Sequence, residues 1–329
     1  MPSGGRSRRK WLARLTLWGS CAVAFALIFD SRSAVNLSEE YARALTTARQ
    51  KADRHGAVTL LYLNDAYVRM TRSFLCNLQA LNSSYIDSLL VLSTSSRSAG
   101  ALKKSFPKLS LLTIPFSKNQ ALGFNDLAYY ELTAERLRIL NMFVQSGLNV
   151  FTVEADAVWF TTDVLDAVLR ALARYEVVSA DDFFLPGHKN MRMISAGFMA
   201  CRSTNHTRQL FRDYTNQYML YLRGVKSALR KNEVAKVQGE QILLTKLLDN
   251  VDNTQKRGIK VAWLDGCSFV NGQWYQYREY QMKCSQPRVI QNNWIVGVHE
   301  KEARAKRRNH WFLAENSMHC ATGSTYDFS

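Results

Sequence analysis

The amino-acid sequence predicts an α/β fold in which helices flank a mixed, mostly parallel sheet. Two patterns predict it: short apolar runs rich in strand-forming residues recur along the chain, and segments with apolar residues at helical spacing separate them. A third pattern, a nearly uncharged N-terminal stretch behind a basic cluster, predicts a transmembrane helix before the folded domain. The chain has 329 residues, 47% of them hydrophobic, which is enough to bury a substantial core.

The first part of the predicted domain alternates strands with a helix. Its first apolar run ends at Asn64 and Asp65, which are typical of loops and helix caps. A helix follows, and the third strand is stopped by Pro115. The predicted strands are 57–63, 88–93 and 109–114, and apolar residues at helical spacing cover 73–81.

A longer helix and a further strand come next. Residues 131–146 carry apolar side chains at helical spacing, and Gly147 after them is typical of a helix C-terminus. The next strand begins at Asn149. Because strands that alternate with helices form parallel sheets, we expect ligands to bind at the carboxyl ends of these strands.

The N-terminal residues predict a membrane anchor. Residues 15–29 are nearly uncharged and follow a basic cluster, so we expect the N-terminus in the cytosol and the remaining chain in the lumen. No clear cleavage motif follows, which favours an uncleaved anchor over a removed signal peptide. The predicted parts are a cytosolic tail (1–10), a signal anchor (11–30), a stem (31–56) and a globular domain (57–329).

The cysteines indicate disulfides rather than a metal or redox motif. Cys21 lies in the apolar N-terminal segment, and the other five include no C-x-x-C pair. In an oxidising lumen some of these five pair, and their odd number leaves at least one unpaired. Three N-x-[ST] sequons fit lumenal exposure, although such triplets also arise by chance. The five cysteines are Cys76, Cys201, Cys267, Cys284 and Cys320, and the sequons are at Asn36, Asn82 and Asn205.

The net charge of +16 favours polyanionic partners. It results from 43 Lys and Arg residues against 27 Asp and Glu residues. Such a charge attracts phosphorylated ligands, acidic polysaccharides, membrane headgroups and nucleic acids. The sequence has neither zinc-finger spacing nor an RNA-binding signature with interleaved aromatic residues, so no nucleic-acid partner is predicted.

Two carboxylates follow the strand that begins at Asn149. Glu154 and Asp156 lie two residues apart, so on a strand both side chains point to the same face. Because an unpaired carboxylate is costly to bury, we expect them at the strand end with a cation, a base or water as partner. Such oxygen ligands bind Mn²⁺ or Mg²⁺, which bridge the two phosphates of a ligand. The alternative is a pair that faces solvent.

Several motifs between Ala57 and Trp311 resemble, in the same order, those of the nucleotide-diphospho-sugar transferase family that includes the plant rhamnogalacturonan II xylosyltransferases. No single motif is sufficient, but their order across nearly the whole predicted domain carries the resemblance. The segments are Gly147-Leu-Asn-Val150, Glu154-Ala-Asp156-Ala-Val-Trp159, Ser195-Ala-Gly197-Phe-Met-Ala-Cys-Arg202, Gln238-Gly-Glu240-Gln241, Leu264-Asp265 with Phe269-Val-Asn-Gly272, and Gln291-Asn-Asn293-Trp294-Ile-Val-Gly297 followed by Lys301, Arg304 and Trp311.

The resemblance implies a GT-A-like, Rossmann-type fold, a UDP-sugar donor, Mn²⁺ or Mg²⁺ as cofactor, and transfer with retention of anomeric configuration. It places Asp156 on the metal ion, with Glu154 on the same ion or on the donor. It places Lys301 and Arg304 over the leaving diphosphate, unless they belong to a solvated basic helix face.

The family resemblance also suggests further site residues. Asn64 and Asp65, at the end of the first strand, would contact uridine and ribose, unless they only cap a helix. The polar candidates near the reacting carbon are Glu240, Gln241 and Asp265. The tryptophans Trp159, Trp274 and Trp294 either stack on a sugar or belong to the core, and the core is the commoner role of a Trp in such strands.

This chain departs from the family pattern at two positions. Glu154 stands where aspartate is usual, and Gln291 stands where the family has histidine. Glutamate is one methylene longer and still reaches an ion or a ribose, whereas a glutamine amide oxygen is a weak ligand. His299 is a candidate replacement for the missing imidazole, or else a surface histidine beside Glu300.

The sequence therefore predicts a glycosyltransferase that moves a sugar from a UDP-sugar to a glycan or glycoprotein acceptor. It would be a single-pass type II protein of the Golgi membrane with a lumenal catalytic domain. One alternative is a catalytically impaired, membrane-anchored glycan-binding protein of the same fold. Another is a secreted protein that binds polyanions through its basic clusters.

Overall fold

The computed structural model describes residues 39–81, 84–114, 116, 126–187, 192–231, 239–249, 258–315 and 317–321. The predicted tail and anchor, residues 1–30, lie outside this part of the chain. The chain divides into two units, Met1–Arg43 and Ala44–Ser329. The described residues of the first unit, 39–43, are helical. No helix in the described ranges combines the length and apolar character that a membrane span needs.

The second unit alternates strands and helices, as the sequence predicts. Its strands are β1 (Val58–Leu63), β2 (Leu89–Ser93), β3 (Ser110–Thr113), β4 (Val150–Val153), β5 (Ala157–Trp159), β6 (Val177–Asp181), β7 (Ile194–Cys201), β8 (Val261–Trp263), β9 (Phe269–Val270) and β10 (Val289–Gln291). Its helices are α1 (residues 44–55), α2 (Val68–Ala80), α3 (Ser96–Ser105), α4 (Leu127–Gln145), α5 (Val164–Leu172), α6 (Asn205–Arg230), α7 (Glu240–Asp249), α8 (Arg278–Lys283) and α9 (Val298–Arg307). Short 3-10 helices cover Asp65–Tyr67, Ser84–Asp87 and Gly272–Tyr275.

The main sheet has seven strands in the order β3-β2-β1-β4-β7-β6-β8. Four neighbouring pairs are parallel, and β7 runs antiparallel to both β4 and β6. The predicted mixed, mostly parallel sheet is therefore confirmed. It agrees with the GT-A-like architecture that the sequence resemblance implies.

The strands lie in the core because both of their faces are apolar, and helices cover them. Phe151 and Val153 of β4 belong to one apolar cluster with Phe74 of α2 and Val164 of α5. The predicted helix 131–146 begins earlier, at Leu127, because the apolar face continues through Tyr130, which is 2% exposed. Gly147 follows α4 at φ +88°, the left-handed conformation expected at a helix C-terminus.

A second, three-stranded sheet fixes the region after β4. In it β10 pairs antiparallel with β5 and parallel with β9. Asn77 of α2 holds β5 from its other edge: its Nδ2 donates to the carbonyl oxygen of Trp159, and its Oδ1 accepts from the Trp159 amide, both at 2.8 Å. The C-terminal part of the chain is thereby joined to the segment that begins directly after Asp156.

The strand order creates a crevice between β1 and β4. The chain continues from β1 to β2 on one side, whereas β4 adds to the other side of β1. The register pairs Leu61 with Val153, so both strands end at the same edge of the sheet. At such a reversal of strand order the flanking loops diverge, and ligands of α/β sheets bind in the space between them.

Two disulfides stabilise the second unit. They join Cys76 to Cys320 and Cys267 to Cys284, and of the cysteines within the described ranges Cys201 is unpaired and buried. The prediction that some of the five cysteines pair and at least one stays free is confirmed. The sequence alone did not give the connectivity.

Removal of the Cys76–Cys320 disulfide by double alanine substitution is expected to cost more stability than removal of Cys267–Cys284. The first bridges a sequence separation of 244 residues and the second one of 17. In the chain-entropy account this difference corresponds to about 2 kcal/mol. Urea unfolding of both variants under non-reducing conditions measures it, and an equal loss in the two variants would contradict the expectation.

Candidate functional site

A pocket opens at the carboxyl ends of β1 and β4, where the strand order predicts a ligand site. Its polar lining includes Asn64 after β1, Glu154 and Asp156 after β4, and Arg136 of α4. The segment before α9 and Lys301 of that helix close it from the C-terminal side, and Tyr67 and Tyr129 add aromatic surface. Elements that are distant in sequence thus converge on the two carboxylates that the sequence analysis singled out.

Asp156 forms an ion pair with Lys301. The Nζ atom lies 2.5 Å from Oδ2, and the two side chains are only 14% and 3% exposed. Burial by itself lowers the pKa of Lys301, but the charges of Asp156, Tyr67 and Glu154 more than offset this, so the net shift of the pKa is upward. The Lys301 ammonium is therefore charged at all physiological pH values.

Arg136 joins two further carboxylates. Its Nη1 lies 2.9 Å from Glu154 Oε1, and its Nη2 lies 2.7 Å from Glu240 Oε1 at the start of α7. Burial opposes the charge of the guanidinium, but Glu240 and Glu154 raise its pKa overall. Glu240 is thus kept near Glu154 through an arginine that the sequence analysis did not select.

Gly197 of β7 makes room for Glu154. A Cβ atom at this position would lie 2.3 Å from Cδ of Glu154, well inside any normal contact distance. The register places Phe198 opposite Val153, so Gly197 is the residue beside the acid that follows β4. The glycine of the Ser-Ala-Gly-Phe motif therefore lets the Glu154 carboxylate lie over the sheet and reach Arg136.

The Asn-Asn motif attaches the C-terminal segment to the strand ends. The Asn292 amide donates to the carbonyl oxygen of Asp156 (3.1 Å), and its Nδ2 donates to the carbonyl oxygen of Lys301 (2.8 Å). Arg304 donates from Nε to Asn292 Oδ1 (2.6 Å) and from Nη2 to the carbonyl oxygen of Asn293. The predicted place of Arg304 over a diphosphate is thus not the one observed, because its guanidinium is buried against this loop and outside the pocket lining.

A second acidic group lies behind the pocket, after β6. Asp182 is buried and accepts hydrogen bonds from Gln241 Nε2 (2.7 Å) and from Asn293 Nδ2. Burial raises the pKa of Asp182 to about 6, the charge of Glu154 adds to the rise, and the two hydrogen bonds oppose it. Gln241 also accepts from the Ala196 amide (3.0 Å), so this predicted residue is fixed between β7 and Asp182.

Three other predicted residues are placed away from the pocket lining. Asp65 accepts hydrogen bonds from the hydroxyl groups of Ser95 and Ser98 at the start of α3, where Ser95 is the N-cap residue. Asp265 is exposed and accepts from the Ser268 amide (2.7 Å) in the turn after β8, the edge strand. His299 is exposed in the first turn of α9. Asn64, in contrast, is buried and lines the pocket.

The side chains at the strand tip do not fit the predicted divalent ion. Asp156 and Glu154 already have cationic partners from the chain itself. Gln291, which replaces the family's histidine, accepts a hydrogen bond from Ser195 Oγ at 2.6 Å. Within the described ranges no three His, Cys, Asp or Glu side chains are grouped closely enough to hold an ion, so Glu154, Asp156 and His299 do not form the expected ligand set.

The three tryptophans divide between the two roles considered. Trp159 and Trp274 are buried, and Trp159 packs edge-on against Phe74, so both belong to the core. Trp294 is exposed at φ +56°, directly before the pocket-lining segment 295–297. Of the three it is the exposed one, and its Nε1 donates to the carbonyl oxygen of Asp182 at 3.0 Å.

The sequence also contains signals for two residues that the sequence analysis did not select, Arg136 and Asp182. Arg136 lies four residues after Leu132 and four before Leu140, so it is a charge on the apolar face of a helix. Asp182 directly follows an apolar strand, as Glu154 follows β4. Both features break the local hydrophobic pattern, and such breaks are typical of functional sites.

The fold and the site define an α/β protein with a charged ligand crevice at a reversal of strand order. Residues 85–305, about two thirds of the chain, match the sequence profile of the nucleotide-diphospho-sugar transferases. The chain belongs to this family, as the sequence resemblance predicts. No curated protein matches the chain in sequence.

Solved structures with some likeness to the chain include three glycosyltransferases. The glycosyltransferase GlyE of Streptococcus pneumoniae TIGR4 has 12% identity and a TM-score of 0.42, over 76% of this chain and 60% of its own. Mouse xyloside xylosyltransferase 1 has 11% identity and a TM-score of 0.43, over 72% and 98% of the chains. Galactosyltransferase LgtC, in complex with donor and acceptor sugar analogues, has 10% identity and a TM-score of 0.43, over 76% of this chain and 95% of its own. The chain thus spans about 60% of the length of GlyE.

Gly197→Ala is expected to lower the free energy of unfolding by roughly 1–3 kcal/mol, because the new methyl group displaces Glu154 from Arg136. Gly100→Ala is the matched control: it lies in α3 and its Cβ would meet nothing within 4 Å. This control should stabilise the protein by up to about 1 kcal/mol. Urea denaturation compares the two variants, and a Gly197→Ala protein as stable as the wild type would refute the close approach.

Proposed function

We propose that this protein transfers a sugar from a UDP-sugar to a hydroxyl group of a glycan or glycoprotein, with retention of anomeric configuration. The observation that carries the proposal is the pocket at the ends of β1 and β4, where Lys301 and Arg136 lie beside Asp156 and Glu154. A nucleotide sugar brings a diphosphate that needs cationic partners and a sugar whose hydroxyl groups need acceptors. The cations Lys301 and Arg136 and the acceptors Asp156 and Glu154 line the same cavity.

The chemistry of transfer assigns roles to these side chains. The bond between the anomeric carbon and a diphosphate oxygen breaks, and its electron pair stays on the diphosphate. The acceptor hydroxyl bonds to the anomeric carbon, and in a front-face attack its proton passes to the leaving diphosphate. Lys301 and Arg136 would stabilise the charge that develops there, because buried cations act strongly on developing charge.

A route through an enzyme nucleophile is the other way to retain configuration. Glu240 is the candidate for that role, since the ion pair with Arg136 holds its carboxylate next to Glu154. We leave the predicted Mn²⁺ or Mg²⁺ out of the proposed function, because the acids at the strand tip already have cationic partners.

The proposed location is the Golgi membrane, with residues 11–30 as a type II anchor and the second unit in the lumen. The two disulfides support an oxidising compartment, since such bonds are rare in the reducing cytosol. The apolar stretch and the basic residues before it support the anchor and its orientation.

Titration calorimetry of the full-length protein with UDP, ADP, GDP and CDP tests the proposed donor class. We expect UDP to bind most tightly, and release of sugar from at least one UDP-sugar by slow hydrolysis. Selective UDP binding without turnover of any UDP-sugar would favour the impaired glycan-binding alternative. Equal, strongly salt-dependent binding of all four nucleotides would favour the polyanion-binding alternative.

Asp156→Asn is expected to lower kcat/KM for UDP-sugar turnover by about a hundredfold or more. The neutral amide no longer fixes the Lys301 ammonium at the pocket, and misplacement of such a group by about 1 Å has effects of this size. Asp249→Asn, at the exposed end of α7, is the control and should leave turnover unchanged. Full activity of the Asp156→Asn protein would remove this residue from the site.

A further inference from the structure

Lys301 places an ammonium group in the pocket, beside Asp156, where a bound diphosphate would need a cation. Its ammonium group carries three N–H donors, and the ion pair with Asp156 occupies one of them. The ring of Tyr67 lies with its centroid 6.0 Å from the same Nζ atom, and both residues line the pocket. The ammonium therefore has a fixed position at the tip of β4 and a side open to the cavity.

Gly297 and Lys301, at the start of α9, line the same pocket. Gly297, the N-cap residue, adopts φ +98° and offers no side chain to cap the first turn. The amides of that first turn have no partners within the helix, and they carry the positive end of the helix dipole. Lys301 directly follows these amides, and its own amide makes the first hydrogen bond of the helix, to the carbonyl oxygen of Gly297 at 3.1 Å. Such an arrangement of amides and a lysine is well suited to bind phosphate oxygens.

The two acids of the pocket, in contrast, form ion pairs with side chains of the protein itself. Glu154 is paired with Arg136, and the buried Asp156 is paired with Lys301. An ion that took Asp156 as a ligand would have to displace a buried ammonium and leave it next to the ion's own charge. Gln291, in the position of the family's histidine, is already bonded to Ser195 Oγ.

We propose that this protein binds the diphosphate of its nucleotide donor without a divalent cation, through the Lys301 ammonium at the start of α9. Asp156 then holds and orients the ammonium and does not ligate a metal ion. This inference rests on the proposed function, because it assigns the diphosphate part of the same pocket. It replaces the metal ion that the sequence resemblance implied.

Calorimetric titration of the full-length protein with UDP and with UMP tests the inference, first in excess EDTA and then in millimolar Mn²⁺. In EDTA we expect UDP to bind with an affinity within about threefold of that in Mn²⁺, and to bind at least tenfold more tightly than UMP. UDP binding that requires Mn²⁺ would overturn the inference and leave the proposed donor class standing. UDP that binds under neither condition would overturn both.

Lys301→Met separates a direct phosphate contact from a structural role. It should shrink the ratio of UDP to UMP affinity by about tenfold or more in EDTA, because a charged hydrogen bond to phosphate is lost. A purely structural defect would weaken UDP and UMP equally, which would overturn the assignment.

The control is Lys306→Met, on the same helix, where the lysine pairs with Glu302 outside the pocket lining. It should leave the ratio unchanged. If Lys301→Met does not fold, the comparison of EDTA and Mn²⁺ on the wild-type protein still decides the matter.

Discussion

The ion pair between Asp156 and Lys301 is the interaction on which the site depends. It joins the residue after β4 to helix α9, and with the hydrogen bonds of Asn292 it fixes the C-terminal segment over the edge of the sheet. That segment supplies the side of the pocket formed by residues 295–297 and Lys301. The pair is nearly excluded from solvent, where a lone charge of either sign is unstable, so each partner requires the other.

A second charged group, Arg136 with Glu154 and Glu240, balances the first. It connects α4, the tip of β4 and the start of α7, three elements on which the pocket or its surroundings depend. Gly197 makes this connection sterically possible by giving Glu154 space over β7. Both acids that line the pocket thus have a cationic partner within the chain before any ligand arrives, although Glu154 shares Arg136 with Glu240. A diphosphate can then bind to cations whose positions are already set, which reduces the ordering cost of binding.

The sequence predicted the frame of the fold well, because the frame rests on local pattern. The predicted strands 57–63, 88–93 and 109–114 are β1, β2 and β3, each shorter by one residue at one end or at both. Glu154 and Asp156 lie at a strand end in the crevice, as predicted. The order of motifs also identified the family. The contacts of individual charged groups could not be predicted: Arg304 binds the Asn-Asn loop, Asp65 accepts from Ser95 and Ser98, and Asp265 follows an edge strand. Sequence spacing does not encode which distant side chain meets which. Arg136 and Asp182 interrupt apolar patterns, but their partners do not follow from those patterns.

A double-mutant cycle on Asp156→Ala and Lys301→Met measures the central interaction directly through the free energy of unfolding in urea. Each single variant leaves a buried charge unpaired and should be destabilised by about 3–5 kcal/mol, whereas the double variant leaves none. We therefore expect the double variant to be less destabilised than the sum of the two, with a coupling energy of about 2 kcal/mol or more. Additive losses in the two variants would show that Asp156 and Lys301 do not depend on each other and would contradict this account of the site.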